Sequence, residues 1–146
     1  MRPVAVVMAA TMACSQGGGV VVTGDLRIAG AEFRIAPVAA TSAAGYWELS
    51  NSGSVPDTII QVSSEAGALS IHRSVIENGL RLMQPVAALE IIPGQTVRFA
   101  PGGLHLMLEH FRQPLEVGDT VPIILHMARG GIVTVNAPVR LAGDDD

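Results

Sequence analysis

The chain has 146 residues, of which 49% are hydrophobic and only 15% are charged. This length allows one sizeable hydrophobic core and is short for two domains. The nine basic residues, all arginine, face thirteen acidic residues, and the net charge is -4. No cationic field is therefore available to bind nucleic acid or anionic lipid, which excludes nucleic-acid binding. A single cysteine excludes an internal disulfide framework, a cysteine-rich zinc site and a CxxC redox pair.

The N-terminal residues have the layout of a signal peptide. Arg2 supplies a positive charge, and residues 3–13 form a small or apolar run that only Thr11 interrupts. A run of about eleven residues is well short of the roughly 20 that span a bilayer as a helix. The run ends in Thr-Met-Ala-Cys, which resembles a bacterial lipoprotein box with threonine in place of the usual leucine. We therefore predict a signal peptide over residues 1–14, lipid attachment at Cys14 and a flexible tether over residues 15–19; plain cleavage after an alanine is the alternative.

The rest of the chain predicts β-strands separated by turns. Its 16 glycines and 9 prolines break helix interiors and form turns, as at Asn78-Gly79 and Pro93-Gly94. Apolar stretches recur about every ten residues, which is typical of a sandwich or small barrel. We expect one all-β domain over residues 20–141, followed by an acidic tail over residues 142–146. The predicted strands cover residues 20–28, 31–38, 46–51, 58–63, 69–74, 80–83, 88–92, 96–100, 104–110, 120–127 and 132–139.

Two histidines and two methionines are candidate metal ligands. His105 and Met107 are two residues apart on a predicted strand, so their side chains point to the same face. Imidazole and thioether donors suit a soft ion, and among biological metals they favour Cu(I) over Mg, Ca or Mn. His72 and Met83 lie on two neighbouring predicted strands and would complete the site if the fold brings these strands alongside.

The spacing of these four residues is distinctive. The sequence from His72 to Met107 reads H-x10-M-x21-H-x-M. At the histidine and methionine frequencies of this chain, on the order of 10⁻⁴ chance matches are expected. The pattern resembles the signature of the PCu(A)C family of periplasmic copper chaperones in all four ligands and all three gaps. Flanking stretches such as Pro101-Gly102-Gly103 and Gly131-Ile132-Val133 are also similar, and the resemblance covers roughly residues 44–139.

The resemblance implies a cupredoxin-like Greek-key β-sandwich, either periplasmic or lipid-anchored outside the cytoplasm. It implies that the fold holds one Cu(I) through His72, Met83, His105 and Met107. The role implied is delivery of copper to the copper centre of cytochrome c oxidase subunit II, often alongside a Sco-type chaperone. The membrane would be contacted only through the lipid on Cys14.

The other two histidines are expected to have other roles. His110 is an odd number of residues from His105 and should face the other side of the strand. His126 and Met127 are a second imidazole and thioether pair, but adjacent strand residues face opposite ways, which favours a structural or surface role over a second copper site. The aromatic residues Tyr46 and Trp47 are expected to contribute to core and cross-strand packing.

Competing functions have less support. A blue-copper electron carrier needs a cysteine thiolate, and the only cysteine is Cys14, far from His72. An enzyme is not expected, because the sequence contains no nucleophile elbow, HExxH, P-loop or paired carboxylates. A copper-buffering or copper-resistance surface lipoprotein without specific delivery remains the alternative, because buffering and delivery require the same four ligands.

Overall fold

A computed structural model describes residues 19–143 and shows an all-β fold. The predicted signal peptide and Cys14 lie outside the described residues, as do the last three aspartates. No helix between residues 19 and 143 has the length and hydropathy needed to cross a bilayer. The strands are β1 (Val21–Thr23), β2 (Leu26–Ile35), β3 (Ser42–Asn51), β4 (Asp57–Ser63), β5 (Ala68–Glu77), β6 (Leu80–Pro85), β7 (Leu89–Ile91), β8 (Thr96–Phe99), β9 (Leu104–Glu109), β10 (Thr120–Met127) and β11 (Gly131–Leu141).

The strands form a curled sandwich around one core. The hydrogen-bonded order is β6-β5-β9-β8-β3-β2-β11-β10-β4-β7, with β1 paired to β2. Strand β11 joins the two sheets, because it pairs antiparallel with β10 from Gly131 to Pro138 and then parallel with β2 from Val139 to Leu141. The predicted all-β sandwich is thereby confirmed.

The first two strands differ most from prediction. The chain turns at Gly24, which has a φ of 57°, so that Val21 pairs with Ile28 in a β1–β2 hairpin. At Gly30, with a φ of 69°, the pairing of β2 and β3 shifts register, and β2 continues through this irregularity to Ile35. The predicted boundary between strands 20–28 and 31–38 was therefore wrong. The chain turns at Gly24, inside the first predicted strand, and at Gly30, between the two, it forms only a bulge within one strand.

The two adjacent aromatic residues lie on opposite faces of β3. Trp47 is buried in the core and packs edge-to-face on Phe99, with ring centroids 5.6 Å apart. Tyr46 instead faces outward, where the guanidinium carbon of Arg34 lies 5.5 Å from the centre of its ring. The predicted core packing is correct for Trp47. The predicted cross-strand packing is correct for Tyr46, which strand alternation places outside the core against Arg34 of β2.

A buried asparagine holds the loop after β3. Asn51 is only 4% exposed, and its side-chain nitrogen donates to the carbonyl oxygens of Val55 and Ile91 at 2.9 and 3.0 Å. Its side-chain oxygen accepts from the backbone nitrogen of Gly53 at 2.9 Å. One amide side chain therefore satisfies three backbone groups at the end of the sandwich.

Replacing this side chain is predicted to destabilise the fold. Asn51→Ala leaves backbone donors and acceptors without partners, and we expect a loss of about 2–4 kcal/mol in the free energy of unfolding. Urea denaturation followed by tryptophan fluorescence measures this loss. Asn136→Ala, at an exposed position of β11, is the matched control and should change stability by less than about 0.5 kcal/mol. Equal stability of the two variants would contradict the assigned role of Asn51.

Candidate metal centre

The two candidate histidines are direct cross-strand partners. Strands β5 and β9 pair antiparallel from Ala68–Glu109 to Arg73–Leu104, and this register sets His72 opposite His105. The centres of the two imidazole rings are 5.9 Å apart, and the ring planes are inclined by 43°. Directly opposed residues of an antiparallel pair point to the same face, so both rings project from the same side of the sheet.

That side is the face turned away from the core. The residues that alternate with the histidines, Ile71 on β5 and Leu106 on β9, belong to the buried apolar core. Because side chains alternate along a strand, His72 and His105 must point outward. The candidate metal centre is therefore built on the outer face of the sandwich, with a packed hydrophobic layer directly beneath it.

The two candidate methionines flank the histidine pair diagonally on the same face. Met107 is two residues from His105 on β9 and pairs with Ser70 on β5. Met83 lies on β6, where it pairs with Ser74 on β5. Each methionine is thus a diagonal neighbour of His72, at the Cα separation of about 7–8 Å that long side chains bridge. All four residues predicted from spacing share one face of three adjacent strands.

Each imidazole has one nitrogen with a partner and one without. His72 has its Nε2 3.0 Å from the hydroxyl of Ser70, and His105 has its Nδ1 3.2 Å from the carbonyl oxygen of Gly103. The other nitrogens, Nδ1 of His72 and Nε2 of His105, are buried and have no hydrogen-bond partner. A buried polar atom without a partner is costly, and a metal ion would give both nitrogens one.

The carbonyl of Gly103 ties the start of β9 to β5. It accepts from the backbone nitrogen of Ser74 at 3.1 Å as well as facing the ring of His105. Gly102 adopts a φ of 84°, and the backbone nitrogen of Gly103 donates to the carbonyl of Ala100 at 3.0 Å to close the turn. The Pro-Gly-Gly sequence before His105 forms this turn, and the turn places the carbonyl oxygen of Gly103 next to the imidazole.

Exposure rises from the centre of the site toward the edge of the sheet. His105 is 4% exposed, and His72 and Met107 are half-buried. Met83 is 53% exposed on β6, which ends the sheet order. Within residues 19–143, no three His, Cys, Asp or Glu side chains are close enough to hold a metal ion together. The candidate donors that share this face by strand register are two imidazoles and two thioethers, a set that suits a soft cation.

The remaining histidines lie apart from this face. His110 follows the last residue of β9, with a φ of 51°, and is exposed. On β10, Met127 is buried in the core while His126 faces the other way. The two side chains of that pair thus point in opposite directions, as strand alternation predicted.

Two groups that contact the histidines were not singled out in the sequence. Ser70 is two residues before His72, and the period of a strand already predicts that both share a face. The carbonyl of Gly103 carries no side-chain signal and becomes visible only in the folded backbone.

Comparison with known structures identifies the class to which this architecture belongs. The fold is that of PCuAC domains, which confirms the predicted cupredoxin-like sandwich. The copper-bound PCuAC domain from PmoF2 is 25% identical with a TM-score of 0.70, over 84% of this chain and 98% of that one. The Cu(I) form of DR1885 from Deinococcus radiodurans is 26% identical with a TM-score of 0.63, over 92% of this chain and 87% of that one.

The sequence places the chain in a particular family within this class. Residues 26–139 match the family model described as "Putative lipoprotein LpqE-like", and the chain belongs to this LpqE-like family. A relative, "Putative lipoprotein Lxx21020" of Leifsonia xyli subsp. xyli (strain CTCB07), is 34% identical over 99 residues, which are 66% of this chain and 60% of the relative. The matched region therefore spans about three fifths of the length of this curated relative.

Proposed function

We propose that this protein is an extracytoplasmic Cu(I) chaperone that binds one ion through His72, Met83, His105 and Met107. The observation that carries the proposal is the pair of buried imidazole nitrogens without hydrogen-bond partners on the neighbouring strands β5 and β9. Met83 and Met107 are diagonal neighbours of His72 on either side of this pair. The copper-bound PmoF2 domain and the Cu(I) form of DR1885 support it, because both have this fold.

The donor set accounts for the choice of oxidation state. Two neutral imidazoles and two neutral thioethers leave the site with only the charge of the ion, which favours Cu(I) over a more highly charged metal. Thioethers do not take up protons in the working pH range, so protons compete with the ion only for the two imidazoles. No thiolate lies within residues 19–143 to be oxidised outside the cytoplasm.

The gradient of exposure suits a protein that must also release its cargo. His105 is fixed within the sheet, whereas Met83 stands on an edge strand with about half of its surface open. A partner offering soft ligands can replace Met83 first while the imidazoles still hold the ion. Copper would then pass by stepwise ligand exchange, without release of the free ion.

Loss of one ligand is predicted to weaken Cu(I) binding strongly. In an anaerobic competition titration against a chromophoric Cu(I) chelator, wild type should bind one ion, and His105→Ala should raise Kd by about 100-fold or more. Met83→Ala should also raise Kd, but by less than His105→Ala does, because the lost thioether lies at the exposed edge of the site and two imidazoles and the thioether of Met107 remain. His126→Ala is the control, since this histidine lies on another sheet, and it should bind as wild type does.

The binding proposal is overturned by either of two results. One is that wild type fails to compete with the chelator. The other is that His105→Ala and Met83→Ala both bind Cu(I) with the same Kd as wild type. Circular dichroism of each variant checks that the fold persists, so that a loss of binding is not a loss of structure.

We further propose that the recipient is the copper centre of cytochrome c oxidase subunit II or a Sco-type assembly factor. Copper-loaded protein mixed anaerobically with either apo protein is expected to transfer copper faster than dissociation to a chelator allows, since exchange through Met83 needs no free ion. Met83→Ala should transfer more slowly relative to its own dissociation rate. Transfer no faster than dissociation would contradict delivery and favour the copper-buffering alternative.

We also propose that Cys14 anchors the protein to a membrane by a lipid. The names of the matching family and relative both contain the word lipoprotein, which supports this localisation. Expressed in a bacterial host with its leader, wild type should partition into the detergent phase and gain the mass of an acylated cysteine. Cys14→Ser should appear in the aqueous phase. Equal partitioning and equal mass of the two proteins would contradict lipidation.

A further inference from the structure

The two imidazoles of the site are held by partners of different chemistry. The partner of His105 is a carbonyl oxygen, which can only accept a hydrogen bond. Nδ1 of His105 must therefore carry the hydrogen, and in the neutral ring Nε2 has the free lone pair. This nitrogen is the one that is buried without a partner.

The partner of His72 is a hydroxyl, which can either donate or accept. The Oγ of Ser70 lies 3.0 Å from Nε2 of His72. If the hydroxyl accepts, Nε2 carries the hydrogen and the buried Nδ1 has a free lone pair. If the hydroxyl donates, Nδ1 carries the hydrogen, which leaves a buried donor without a partner and a ring that cannot bind metal through that atom.

We propose that Ser70 is a positioning residue that holds His72 in the tautomer with hydrogen on Nε2. Copper is then bound by Nδ1 of His72 and by Nε2 of His105. This inference rests on the proposed function of the site. A hydrogen bond from the second ring nitrogen fixes the tautomer and orientation of a metal-binding histidine, and removing such a partner costs 10–100-fold in metal affinity.

The position of Ser70 explains why a small hydroxyl residue serves here. Ser70 shares the outer face with His72 and pairs directly with Met107 on β9. It therefore contacts the ring of one ligand while lying beside another, so that a large side chain would compete with Met107 for space. Ser74 lies on the same face, two residues to the other side of His72 and opposite Met83, which makes it a matched control.

The chain offers a set of variants that separates the hydroxyl from the size of the side chain. Ser70→Ala and Ser70→Val remove the acceptor, Ser70→Thr keeps it, and Thr and Val are nearly isosteric. Ser74→Ala removes a hydroxyl from the equivalent position across His72. We expect Kd for Cu(I) to rise about 10–100-fold in Ser70→Ala and Ser70→Val, and less than about 3-fold in Ser70→Thr and Ser74→Ala.

Long-range proton–nitrogen NMR of the purified protein, with ¹⁵N-labelled histidine and neutral rings, tests the inference directly. Before copper is added, His72 should show hydrogen on Nε2 and His105 on Nδ1. Only His72 should become a mixture of tautomers in Ser70→Ala. On addition of Cu(I), the shifts of Nδ1 of His72 and Nε2 of His105 should change most.

Three results overturn the inference: hydrogen on Nδ1 of His72 in the wild type, an unchanged tautomer in Ser70→Ala, or copper-induced changes centred on Nε2 of His72. The first two are read without metal, so they are distinct from a failure of the proposed function, which would appear as an absence of Cu(I) binding by the wild type.

Discussion

The register between β5 and β9 is the constraint on which the proposed metal centre depends. It sets His72 opposite His105 and, by strand alternation, turns Ile71 and Leu106 into the core. Burial of each large aliphatic side chain is worth about 1.5–3 kcal/mol, so a slip of one residue would lose core burial and turn His72 inward. The hydrophobic pattern thereby fixes the geometry of polar groups on the opposite face, and the proposed metal centre needs no separate scaffold.

Much of this arrangement could be predicted because strands have a period of two. Residues separated by two, such as His105 and Met107, were expected on one face, and adjacent residues such as His126 and Met127 on opposite faces; the structure shows both. Strand pairing could not be predicted in this way. The pairing of β5 with β6 follows from the Asn78-Gly79 turn between them, but the pairing of β5 with β9 is a long-range property of the fold. Only the resemblance in spacing implied that all four residues belong to one site.

The structural features that were not predicted from the sequence lie mainly in the backbone and at the edge of the sheet. The carbonyl of Gly103 has no signature in a side chain. The β1–β2 turn differs, because Gly24-Asp25 is a turn signal in the sequence that the strand prediction for residues 20–28 did not use. The exposure gradient from His105 to Met83 follows from the position of β6 at the end of the sheet order. That gradient links the structure to the proposed function, in which the imidazoles hold the ion while a partner displaces the exposed thioether of Met83.

The central claim is that two imidazoles and two thioethers on the outer face of β5, β6 and β9 bind Cu(I). X-ray absorption at the copper edge of the copper-loaded protein tests this claim most directly. The account predicts a Cu(I) edge with two nitrogen and two sulfur neighbours in the wild type, and one sulfur neighbour fewer in Met83→Ala. A first shell of nitrogen and oxygen alone, or a sulfur count that Met83→Ala leaves unchanged, would contradict it.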